Sequence, residues 1–234
     1  MNGLVEQRIQ TWLAEQRASA KKDEPRAPHR PIVTISREAG ARGTELGRRV
    51  AERLGFRFWD QELVQQIAEQ SGVWDQLFRV VDERARNAVE DLLAGIFMGD
   101  AFTGEAYLVR LLHLIRAIAL QGSAVVVGRG GQFVVEPDAS LRVRVVGPRD
   151  ARARTLMAER RLSERQAHAE VERIDHERAS FIRRHYKKDA ADPSAYDLVV
   201  NSATLPVERA VDVVVAAYGA KFPAVPVFAE SRSS

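Results

Sequence analysis

Cysteine is absent from the 234 residues, which removes disulfides, thiolate metal centres and thiol nucleophiles together. Such a chain suits a reducing compartment. Neither sign of charge dominates: 35 basic and 32 acidic side chains leave a formal charge of +3, a balance that calls for no polyanionic partner. Nucleic acid is therefore not expected as a ligand. The opening stretch MNGLVEQRIQTWLAEQR has no continuous apolar core, so neither a signal peptide nor a membrane span is expected, and the location is expected to be cytoplasmic. Internal repeats and low-complexity tracts are missing as well. What is present is a 45% apolar content, ordinary for one globular domain with a substantial core.

Residues 4–13 place Leu4, Val5, Ile9, Trp12 and Leu13 at roughly helical spacing, and the proline-bearing, charged ASAKKDEPRAPHRP follows. This divides the chain into an N-terminal helix and linker over 1–30, a main domain over 31–220 and a tail over 221–234. The first helix packs on its own domain or forms a homodimer contact. From residue 31 strands and helices alternate: PIVTIS, a helix over 44–54, FRFW, and a helix from Gln61. The stretch 74–121 is helix-rich and expected to cap one side of a sheet. SAVVVG reads as a strand buried on both faces and LRVRVV as another. A long charged helical region follows, then the strand YDLVVN and the helix PVERAVDVVVAAY. The pattern predicts an α/β fold with a parallel sheet of about five strands.

Three clusters carry the chemistry. In TISREAGARGTELGRRVAERLG, Gly40 and Gly43 lie between a strand and a helix, where free backbone amides and the positive end of the helix dipole can hold phosphate. The segment has no lysine and does not match G-x-x-x-x-G-K-[ST]. Arg37 and Arg42 are the available surrogate cations; Arg42, inside the turn, is the favoured one, although a guanidinium differs from a point charge. In VVVGRGGQFVV, Arg129 follows directly on a buried strand. Ligands of open parallel sheets gather at the carboxyl ends of strands, so Arg129 can meet a substrate phosphate there, or it can merely flank a capping turn. The third cluster, with Arg152, Arg154, Arg160, Arg161, Arg173, Asp175, Glu177 and Arg178, reads alone as a solvated helix face.

In order, these segments resemble the cytidylate kinase-like family, relatives of bacterial CMP kinase. The resemblance covers most of 31–218 and rests on ITISREAGARGTELGRRVAERLGFRFWDQELV, VVVGRGGQFVVEPDASLRVRVV and AYDLVVNSATLPVERAVDVV. It implies a three-layer P-loop core with a helical lid, and ATP and Mg2+ as cofactors. Arg37, Gly40, Ala41, Arg42, Gly43 and Thr44 fall on the donor-nucleotide loop, with Gly43 at the position of the family's lysine and Thr44 set to hold Mg2+ through water. Asp60, Arg110, Arg129 and Glu177 fall on the acceptor side. Arg42, Arg129, Arg152, Arg173 and Arg178 are the implied catalytic set. Gly130 stands where the family has an aspartate on the acceptor sugar, and Ser180 where it has a further phosphate-binding arginine.

The implied activity is phosphoryl transfer from ATP to a nucleoside monophosphate, CMP or dCMP before others, which asks for alignment and charge neutralisation rather than a tuned base. Two other classes stay open. A nucleotide-binding regulator would keep the loop and lack turnover, and the missing lysine favours it. A binding module using the basic helices alone would show steep salt dependence and indifference to ATP.

Overall fold

A computed structural model describes Thr11, residues 30–64 and residues 106–223. The expected N-terminal helix, apart from the helical Thr11, and most of the 74–121 stretch lie outside the described residues. Five parallel strands, β1 (Ile32–Arg37), β2 (Arg57–Trp59), β3 (Ala124–Val127), β4 (Ser140–Val146) and β5 (Leu198–Asn201), lie in the order β2-β3-β1-β4-β5. Helices α1 (Gly43–Leu54), α2 (Ala106–Gln121), α3 (Gly131–Val134), α4 (Arg149–Arg160), α5 (Glu164–Tyr186) and α6 (Val207–Lys221) complete it.

Strand alternation sorts the core into two layers. Val33, Ile35, Val125 and Val127 pack with Leu46, Val50, Val211 and Val214 of α1 and α6. Ile32, Ala124 and Val126 pack with Leu111, Leu112, Ile115 and Ile118 of α2 on the opposite face. The fold is thus an α/β three-layer sandwich with β1 and β3 buried on both sides, which is why β3 reads as an unbroken apolar run, while β1 keeps Thr34 among its buried residues. Both strands end at the same edge, and their carboxyl termini, Arg37 and Val127, lead directly into the two glycine turns.

The long charged region between β4 and β5 is two helices. Arg161 adopts a left-handed conformation (φ 55°) that stops α4, and Ser163 starts α5 with a capping box in which its hydroxyl accepts from the Gln166 amide. SERQ carries that signal openly. The pair encloses a small core of its own, Ala153, Leu156, Ala167 and Val171, and forms an arm that rejoins the main core through Ile182 and Tyr186 at the end of α5.

After β2, Asp60 accepts a hydrogen bond from the Leu63 amide at 2.8 Å and caps the helical turn at 61–64. Asp60→Ala removes this cap and should cost about 1 kcal/mol of stability, read by urea denaturation. A loss under about 0.3 kcal/mol would show that water replaces the cap fully.

Candidate functional site

Arg42 is the N-cap of α1 in a left-handed conformation (φ 57°), and no side chain caps the helix. The first bond within the helix runs from the Leu46 amide to the Arg42 carbonyl, so the amides of Arg42, Gly43, Thr44 and Glu45 are those the helix itself cannot satisfy. Together with the helix dipole they form the anion-facing end of the loop. The Arg42 side chain turns outward to the Glu45 carboxylate at 2.8 Å, exposed. Gly40 (φ 72°) lies against α4, where a Cβ would overlap the Arg152 carbonyl oxygen, and Ala41 beside it is fully buried.

The side chain of Arg37 goes the other way. It runs between Gly43 and Gly128, two positions at which a Cβ would overlap it, and its Nη2 donates to Gln61 Oε1 at 2.9 Å. Its Nε is buried without a hydrogen-bond partner among the described residues. Burial pushes the Arg37 guanidinium down to about 9, with the like charges of Arg178 and Arg129 acting in the same direction and Asp60 and Glu62 opposing. Of the two surrogate cations, Arg37 therefore reaches the interior and Arg42 does not.

The interior is a cavity of about 540 Å3 at the carboxyl ends of β1, β3 and β4. Its wall carries six arginines, Arg37, Arg129, Arg144, Arg160, Arg173 and Arg178, against four carboxylates, Glu38, Asp175, Glu177 and Asp189. Arg129 sits at the turn after β3 in a left-handed conformation (φ 53°), with its guanidinium 5.1 Å from the centre of the Phe181 ring. Its carbonyl accepts from the Tyr186 hydroxyl at 2.7 Å, fastening the turn to α5. Arg178 donates to the Arg37 carbonyl at 3.1 Å, and burial, ahead of neighbouring charges, lowers its pKa. Three guanidiniums gathered inside a partly enclosed space, two of them with pKa values lowered by burial and by like charge, are suited to an anion carrying more than one negative charge.

The remaining expected residues divide. Arg173 and Glu177 line the cavity but form an exposed network, Arg173 to Glu177 at 2.5 Å and to Glu170 at 2.7 Å. Those carboxylates raise the Arg173 pKa. Arg152 is buried and already committed, with Nε donating to the Gly147 carbonyl at 2.8 Å and Nη1 to Asp175 at 2.6 Å. Gly40, Ala41, Arg42, Gly43, Thr44, Asp60 and Arg110 are not on the cavity wall; Arg110 belongs to α2, and its Nε is a buried group without a hydrogen-bond partner among the described residues.

Sequence reasoning passed over Arg144, Gln61, Asp189 and Glu38 as site residues. Arg144 stands 3.4 Å from the Tyr196 hydroxyl and 3.5 Å from Glu38, facing the cavity from β4. Arginines at 142 and 144 alternating with apolar residues along β4 were the available signal. Among the described residues no group of three metal-ligating side chains exists, and no helix is long and apolar enough to cross a membrane.

Comparison with known proteins adds four findings. A uronate isomerase from Corynebacterium glutamicum is 29% identical over 106 residues, 45% of this chain. This chain spans only 20% of that protein's length. The crystal structure of an uncharacterized protein from Eubacterium ventriosum superposes with a TM-score of 0.65 at 20% identity, covering 82% of this chain and 99% of that one. That likeness is one of fold. A shikimate kinase from Bacteroides thetaiotaomicron gives a TM-score of 0.43 at 15% identity, over 79% of this chain and 96% of that one. The cytidylate kinase-like family matches residues 32–204, from the first residue of β1 through the turn that follows β5. By that match the chain belongs to the cytidylate kinase-like family.

Proposed function

We propose that the protein transfers a phosphoryl group from ATP to a nucleoside monophosphate, with a CMP- or dCMP-like acceptor. The observation that carries this reading is the convergence of Arg37, Arg129 and Arg178 on one cavity beside the amino end of α1. The acceptor's phosphate takes the place among the guanidiniums. Its oxygen is already a nucleophile at neutral pH, so the site supplies alignment and charge neutralisation.

The donor nucleotide fits the uncapped amides of Arg42, Gly43, Thr44 and Glu45, which offer hydrogen bonds to phosphate oxygens without a lysine. Magnesium has no carboxylate cluster to hold it among the described residues; it would be carried by the phosphates, with the Thr44 hydroxyl ordering a bound water, and would supply charge neutralisation there. Arg37 replaces the lysine's charge from the side of the cavity. Arg152 stays a positioning residue while Glu38 and Asp175 hold it, and Arg173 contributes only by exchanging Glu170 and Glu177 for phosphate.

A second reading, a nucleotide-binding regulator without turnover, is favoured by one observation: Arg42, the one basic side chain of the turn itself, is paired with Glu45 and turned away from the amides at the start of α1. ADP release from magnesium ATP with a panel of nucleoside monophosphates separates the two. Turnover with one acceptor, reduced about a hundredfold or more by Arg129→Ala, is the expected result. ATP binding with no turnover on any acceptor would leave the regulator.

A further inference from the structure

One carboxylate sits where a ligand oxygen would be expected. Asp175 of α5 accepts from the Ala39 amide at 2.7 Å through Oδ1 and from Arg152 Nη1 at 2.6 Å through Oδ2. A backbone amide of the glycine loop and a buried guanidinium, both at charge-assisted distances, are the donor pair that holds a phosphate oxygen. The contact spans 136 residues of sequence and joins the arm to the loop.

Arg152 would not be stranded if Asp175 left. Its Nε lies 3.2 Å from Glu38 Oε2, and Nη1 also donates to the Ala39 carbonyl at 3.0 Å. Asp175 in turn has somewhere to go: it lines the arginine cavity, and its charge favours the protonated form of Arg178, one turn further along α5, against the burial that disfavours it. Exchange of Asp175 for a ligand therefore leaves every charge with a partner, which keeps the desolvation cost small.

We propose that the Ala39 amide and the Arg152 guanidinium form an oxyanion site for the polyphosphate of a nucleotide, filled by Asp175 in the free protein and vacated by it on binding. This extends the nucleotide-binding half of the function proposed above and is independent of turnover. Asp175 is a built-in competitor, and removing its charge tightens polyphosphate binding.

The test is isothermal titration of the full chain with inorganic tripolyphosphate and, separately, with magnesium ATP. Asp175→Asn and Asp175→Ser should each bind tripolyphosphate about tenfold more tightly than the unaltered protein, a shift equivalent to one pair of competing charges. Glu172→Gln, an equal change of charge on the same helix at an exposed residue paired with Arg149, should leave affinity unchanged. An equal gain in Glu172→Gln, or no gain in the Asp175 variants, overturns the proposal, as does failure of tripolyphosphate to bind any of the proteins. A gain for tripolyphosphate with no ATP binding keeps the oxyanion site and removes the nucleotide reading. Should the Asp175 variants not fold, hydrogen exchange of the unaltered protein decides: tripolyphosphate should change exchange over 36–42 and 149–160, and a change confined to 178–191 refutes the site.

Discussion

Arg37→Met should melt at a higher temperature than the unaltered protein at pH 7 and should lose its affinity for phosphate monoesters. Burial and the charges of Arg178 and Arg129 hold the folded guanidinium near 9, well below that of an unhindered arginine. Lowering a base's pKa on folding means that the charged form is disfavoured in the folded state, so the cost is complete at pH 7, below both values. It fades as pH rises above about 9 and the folded group releases its proton while the unfolded one still holds its own. The full shift corresponds to several kcal/mol; solvent reaching Arg37 through the cavity and the lost bond to Gln61 leave a gain on the order of 2 kcal/mol. The advantage should shrink above pH 9. Phosphate monoesters relieve the same cost in the unaltered protein, so CMP should raise its melting temperature and leave that of the variant unmoved. A variant that melts lower at pH 7 would mean that the guanidinium is no burden, and would leave the cavity without its reason to attract a dianion.

Gly130→Ala should cost about 3 kcal/mol of stability and lower acceptor affinity or turnover by about a hundredfold. Gly130 has φ 72°, and a Cβ there would overlap the Tyr186 ring. The left-handed backbone alone accounts for about 1 kcal/mol. The ring cannot retreat, because it is buried, stands 5.8 Å from the Phe133 ring and donates its hydroxyl to the Arg129 carbonyl at 2.7 Å. Whatever displaces Tyr186 also displaces Arg129. Gly55→Ala is the matched comparison: its φ of 66° is nearly the same, yet nothing lies within 4 Å of the added Cβ, so it should lose only the backbone part, about 1 kcal/mol. Equal losses in the two variants, measured by chemical denaturation, would show that crowding at Tyr186 decides nothing.

The tie between Tyr186 and Arg129 also explains why the arm matters to the cavity. The α4–α5 pair has its own small core, and it meets the glycine loop through Arg152 and Asp175 and the turn after β3 through Tyr186. Loop, turn and cavity wall are thereby coupled through side chains of one helix, so displacement of α5 changes all three together.

By itself the sequence determined the parts whose causes are local. An apolar run without alternation marked β3 as a strand buried on both faces, glycines at 40 and 43 marked the strand-to-helix turn, and Ser163 with Gln166 carried the cap that starts α5. The order of segments also carried the family, which matches residues 32–204. Only the tertiary structure decided where the arginines go. Arg37 and Arg42 stand five residues apart in one loop, yet Gly128 and Gln61 admit the first to the cavity while Glu45 keeps the second in solvent. Arg152, implied by the resemblance as a catalytic residue, is buried between Glu38 and Asp175, and Arg144, read as part of a strand, faces the site. A strand or a cap is set by neighbours within a few residues. The partner of a long charged side chain is chosen by burial and by whichever opposite charges packing brings close, three residues away for Arg42 and more than a hundred for the Glu38 that meets Arg144 and Arg152, and the sequence pattern alone does not record that choice.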